Sequence, residues 1–122
     1  MIKYLLTAII FVILDGLYIN FFKNYFNRQI KSVQGSDIQI NIIASGIVYI
    51  FLIFGLSYFI IQKNRSVKDA FILGLVIYAV YDFTNVALLK NWKVSTAILD
   101  TLWGGILFGS TTFCVNKITH IF

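Results

Sequence analysis

Four long apolar stretches, at residues 2–22, 40–61, 70–89 and 94–115, constrain this chain more than anything else in it. As a helix, each is long enough to cross a hydrocarbon core of about 30 Å, which takes roughly 20 residues at 1.5 Å per residue. Inside lipid no water satisfies backbone N–H and C=O groups, so a lone segment of this kind has the helix as its one sensible conformation. The expectation is an all-α integral membrane bundle of four transmembrane helices. It forms a single domain over residues 1–122, multi-pass, with both termini on the same side and the lipid bilayer as its first partner. Composition agrees: 59% of residues are hydrophobic, 12% are charged and the mean hydropathy is +0.84, outside the range of ordinary soluble domains.

A net charge of +5 raises the question of nucleic acid. The ten Lys and Arg residues, however, sit almost wholly in the gaps between apolar runs, where a membrane protein meets anionic headgroups. No soluble basic surface is left to bind nucleic acid, and none is expected as a partner. Lys3, Lys63, Arg65, Lys68 and Lys117 fall on the terminal side, and Lys23, Arg28, Lys31, Lys90 and Lys93 on the other. That balance gives the positive-inside rule nothing to choose with. It leaves open insertion in both orientations, as in small antiparallel dimeric transporters, and with it a homo-dimer or larger membrane assembly. Lys3 ahead of an apolar run looks like the start of a signal peptide, but no small-x-small cleavage pattern follows, so a retained helix is expected.

The linkers are unlike one another. Between the first two spans, Phe22, Phe26, Ile30 and Val33 recur at helical spacing opposite Lys23, Asn27, Arg28 and Lys31. Residues 23–34 therefore read as an amphipathic extension lying in the interface, ended by Gly35-Ser36-Asp37. Ser66-x-x-Asp69 has the form of a capping box opening the third helix. Lys90-Asn91-Trp92-Lys93 is so short that helices three and four must form an antiparallel hairpin, with Trp92 placed as an interfacial aromatic. Asp15 and Asp82 are each followed by Lys-Asn and an aromatic at the same distance, and Gly55 and Gly109 sit in similar surroundings. Two helical hairpins in repeat would account for this; chance in so biased a composition would too.

Three of the five aspartates lie inside apolar spans. Asp15 and Asp82 each stand seven residues before the end of a span, and Asp100 six residues after the start of the last. Each is then roughly 10 Å below the surface that carries linkers one and three. A charged side chain at such depth is costly and normally faces the bundle interior, a partner or a watery cavity. One turn on along its own helix, Asp15 has Tyr18, Asp82 has Asn85 and Asp100 has Trp103, while Tyr78 precedes Asp82 by one turn. All four side chains can donate hydrogen bonds to a carboxyl group. No Lys, Arg or His lies in the layer, so at least one proton, or a bound cation, is expected there. No other cofactor is implied, and whether the layer holds a metal is left unknown. Cys114 cannot form an intrachain disulfide, and the single histidine, His120, lies at the opposite end of the bundle. Gly105-x-x-x-Gly109 reads as a surface for close helix packing.

Three functional classes fit. A small proton- or cation-coupled transporter or channel would use Asp15, Asp82 and Asp100 as the binding groups, oriented by Tyr18, Tyr78 and Asn85. A structural or assembly protein would use the same buried polar groups only to fix helix packing. An intramembrane aspartyl hydrolase would need two aspartates on one water. Tyr81-Asp82 matches half of one such signature, but the partner Gly-x-Gly-Asp is missing. The transporter reading leads, and enzymatic activity is not expected.

Tyr81-Asp82-Phe83-Thr84-Asn85, Leu89-Lys90-Asn91-Trp92, Asp100-Thr101-Leu102-Trp103-Gly104 and the early Leu14-Asp15 together resemble an uncharacterised family of small predicted membrane proteins, domain of unknown function 2177. The resemblance covers nearly the whole chain. It implies four spans and implies that Asp15, Asp82, Asn85, Asp100 and Trp103 are family features. Tyr18 departs from it, standing where a tryptophan would be expected. No activity comes with the resemblance.

Overall fold

The structure, a computed structural model, describes residues 2–121. It consists of four helices: α1 (Ile2–Gln34), α2 (Ile42–Leu56, continuing through a wider π-type turn at Ser57–Ile61), α3 (Val67–Leu88) and α4 (Val94–Ile121). All four are long and apolar enough to cross a membrane, and together they form the four-helix membrane bundle that the hydropathy pattern requires. Large apolar side chains cover the outside, among them Leu17, Phe21, Ile42, Ile50 and Val80. For a surface facing lipid rather than water this exposure carries no penalty.

Local signals start and stop the helices. Asn41 caps α2 by accepting from the Ala44 N–H at 3.0 Å, and Ser66 caps α3 by accepting from the Asp69 N–H at 3.0 Å. Only half of the expected capping box forms, because the Asp69 carboxylate turns to Arg65 Nε at 3.1 Å instead. At the end of α1, Gly35 adopts the left-handed conformation (φ +79°) and its N–H closes on the Lys31 carbonyl at 2.8 Å. The α3–α4 turn reverses through Asn91 at φ 68°, a conformation asparagine tolerates better than most residues. No break separates residues 23–34 from the first span. They continue α1, which at 33 residues is about 50 Å long.

Packing is uneven. The tightest seam joins α3 to α4, where a Cβ on Gly74 would lie 2.1 Å from the Gly104 carbonyl oxygen and one on Gly104 would lie 2.3 Å from Tyr78 Cγ. Gly105 also sits close, under Phe71 and Leu75. Gly109 does not: a Cβ there would make ordinary contact with Val67 at 3.6 Å. The close approach thus centres on Gly74, Gly104 and Gly105; of the Gly105–Gly109 pair the sequence singles out, Gly105 lies in it and Gly109, one turn on, does not. The reason is that glycines of both helices, not of one, meet at the crossing. Helix α1 packs along α4, whereas α2 leans on α1 and has no extended seam with α3 or α4 among the described residues. The two hairpins are therefore not packed alike, and the sequence echo between them is not expressed as equivalent halves. Phe11, Leu56, Ile61, Leu107 and Phe108 form the buried core toward the terminal end, with the Phe11 and Phe108 rings edge to face at 5.5 Å. Beyond the aspartate layer, toward the α3–α4 turn, packing gives way to a cavity.

Candidate functional site

Helices α1 and α4 run antiparallel, and this decides how the acidic layer is wired. The sequence pairs Asp15 with Tyr18 and Asp100 with Trp103 along each helix. In the structure the partners are exchanged: Trp103 Nε1 donates to Asp15 Oδ1 at 2.9 Å, and the Tyr18 hydroxyl donates to Asp100 Oδ1 at 3.2 Å. In antiparallel helices one turn forward on one is level with one turn back on the other, so each donor meets the acid across the interface. The Tyr18 and Trp103 rings stack between the two bonds, parallel and 4.4 Å apart. A second donor reaches Asp15 from α2, the hydroxyl of Tyr49 on Oδ2.

Asp82 is different. It is fully buried on α3, and neither carboxyl oxygen has a hydrogen-bond donor. Asn85, one turn on, does not reach it. Its acidic neighbour is Asp100 on α4. Ionised carboxylates are acceptors only, so two of them side by side cannot bond to each other without a proton. The three aspartates therefore divide into Asp15, held by a tyrosine and a tryptophan, and the pair Asp82–Asp100. Among the described residues no three His, Cys, Asp or Glu side chains gather as ligands for a metal ion.

A cavity of about 440 Å³ opens beside this layer. Its lining includes Asp15, Tyr18 and Asp100, the α3 residues Ile77, Tyr78 and Tyr81, and Val48 and Leu52 of α2. Trp92 closes the end nearest the α3–α4 turn, its ring edge-on to Tyr81 at 6.5 Å. Its indole N–H is buried without a hydrogen-bond partner, so it serves as part of the cavity wall. Tyr78 lines the cavity with its ring against Gly104 and makes no hydrogen bond to an aspartate. No Lys, Arg or His contributes to the lining.

A family model described as predicted membrane protein (DUF2177) matches residues 1–116 of the chain. The chain belongs to this family. Its description states a membrane protein and no activity. The curated proteins and the solved structures contain no match.

One part of the site, and a joint beside it, escape a reading of the family's acidic motifs. Tyr49, which donates to Asp15, lies in a span without charge, about eight residues from the linker-one end of α2. Counting position along every span, charged or not, would have found it. The joint is built on Gln29, which is buried on the extension of α1. Its Nε2 donates to the Asn91 carbonyl at 2.8 Å, and its Oε1 accepts from the Lys93 N–H at 3.1 Å and from Thr96 Oγ1 at 2.6 Å. Since the Thr96 proton is used there, the Tyr25 hydroxyl is the donor in its 2.9 Å bond to Thr96. Asn91 Nδ2 completes the joint by donating to the Ser32 carbonyl at 3.0 Å. A single glutamine in a run of Lys, Arg, Asn and Ser gives no sequence signal of burial.

Proposed function

We propose that the protein is a small proton- or cation-coupled membrane transporter whose exchange site is the Asp82–Asp100 pair, opening through Asp100 onto the cavity. One observation carries this reading: Asp82 is buried with no donor to either oxygen, and its neighbour is another carboxyl group that faces a cavity. A carboxylate in such a place is costly unless neutralised, and with no basic side chain nearby the neutralising group must come from outside the protein. Asp100 can then exchange a proton shared with Asp82 for a cation arriving through the cavity. Tyr18 of α1 donates to Asp100, and Asp15 of α1 with Tyr78 and Tyr81 of α3 line the cavity onto which Asp100 opens. All are neutral or acidic, and none can replace the missing positive charge.

A structural role is the second reading, and Asp15 supports it. Both its oxygens are occupied by donors from other helices, as in a polar clasp. Hydrolysis fits less well. A carboxyl pair that works on one water needs both groups open to it, and Asp82 is closed off from the cavity.

Proteoliposomes carrying a pH-sensitive dye test the proposal. The expected result is a protein-dependent proton flux that Asp82→Asn and Asp100→Asn each abolish while helix content and thermal unfolding stay near those of the parent. Absence of flux under every imposed proton or cation gradient, or flux indifferent to both variants, would overturn it.

A further inference from the structure

Resting on the transport reading, we infer that the cavity takes a hydrophobic organic cation, an ammonium or phosphonium carrying apolar substituents, rather than an inorganic ion. Four features of the cavity point this way. Its volume, about 440 Å³, lies in the range of sites for drug-sized molecules and far exceeds what a bare ion needs. Its charge-bearing groups, Asp15 and Asp100, are both acidic, so they give a cation its counter-ion and repel an anion. Tyr18, Tyr78, Tyr81 and Trp92 add ring surfaces of the kind that attract a quaternary cation with its water removed. The remaining lining, including Val48, Leu52 and Ile77, is apolar and offers nothing in exchange for the hydration shell of sodium, potassium or magnesium.

The three acids do not gather as metal ligands, which agrees with this choice. A diffuse positive charge needs no ring of oxygen atoms; one carboxylate at contact distance and aromatic walls are sufficient. Asp100 is the better counter-ion of the two. Both oxygens of Asp15 are bonded by Trp103 and Tyr49, whereas one oxygen of Asp100 carries the Tyr18 bond and the group also meets Asp82. A cation settling on Asp100 therefore competes with the proton that the pair shares, which links occupancy of the cavity to proton release. Because α2 has no extended seam with α3, a solute already dissolved in lipid can approach from the side.

The test uses the purified protein in detergent micelles, with tetraphenylphosphonium as probe and tetraphenylborate, of like shape and opposite charge, as control. Trp92 and Trp103 both border the site and serve as fluorescent reporters. The expected result is saturable tetraphenylphosphonium binding at least tenfold tighter than that of tetraphenylborate, weakened tenfold or more by Asp100→Asn and unaffected by millimolar sodium or potassium. Leu52→Trp, which fills the cavity from the α2 side and leaves every acid in the chain, should weaken binding to a similar extent and covers the case in which Asp100→Asn does not fold. Equal affinity for both probes, or binding unchanged in Leu52→Trp, would overturn the inference. If proton flux in proteoliposomes still depends on Asp82 and Asp100 while the phosphonium does not bind, the transport reading stands and the organic-cation inference falls. If neither flux nor binding occurs, both fall.

Discussion

Two polar layers join α1 to α4, and they are built on opposite principles. Near the α3–α4 turn, Gln29, Thr96, Tyr25 and Asn91 form a neutral network in which donors and acceptors match. Deeper along both helices, one turn beyond Thr96 on α4, lies the acidic layer, where Asp15 is matched and Asp82 is not. Neutral groups that satisfy one another gain from burial and fix the register of the helices. A buried carboxyl group with no donor and no counter-charge gains nothing for the fold, and in the transport proposal it is where a proton or cation binds. The same antiparallel register serves both layers. What separates glue from site is whether the hydrogen-bond inventory closes within the protein.

The contrast is open to attack by mutation. The largest effect is expected from Gly74→Ala, which would drive a methyl group against the Gly104 carbonyl oxygen and cost about 3 kcal/mol or more of stability. It should also separate Asp82 from Asp100, abolishing proton flux, while the Gln29 network on the far side of α4's first turns survives. Denaturant titration in mild detergent, alongside the flux assay, checks both halves of that expectation. Gln29→Leu removes three hydrogen bonds that clasp the start of α4 and should cost about 2 kcal/mol in the same titration. Flux per folded molecule should be unchanged, and a large loss of flux would mean that the upper layer also belongs to the site.

Asp15→Asn keeps one acceptor oxygen for Trp103 or Tyr49 and should cost about 1 kcal/mol, read as a small shift in unfolding midpoint. Asp82→Asn should change stability least, by less than about 1 kcal/mol in either direction, because no donor in the protein loses a partner. Its flux should nevertheless vanish. Were Asp82→Asn to destabilise the bundle as much as Gln29→Leu, the two layers would be of one kind and the acidic one merely structural.

Much of the fold was legible in the sequence because insertion in lipid is governed by segment length and hydropathy, both local properties. The four spans, the hairpin turn around Asn91 and the cap at Ser66 follow from neighbours a few residues apart. The expectation that Asp15, Asp82 and Asp100 share one level follows from helix rise alone. Depth, however, says nothing about rotation. Two helices can cross with any faces together, and only packing decides which. That is why the exchange of Tyr18 and Trp103 between the acids, the approach of Gly74 to Gly104, and the solitary burial of Asp82 belong to the tertiary structure. So does the cavity, which exists because α2 leans on α1 and leaves α3 uncovered. The sequence by itself determined how many helices are long enough to cross and at what height along them the acids stand; the tertiary structure alone decided which acid is satisfied within the protein and which is not, since hydrogen-bond closure depends on facing surfaces that no single helix contains.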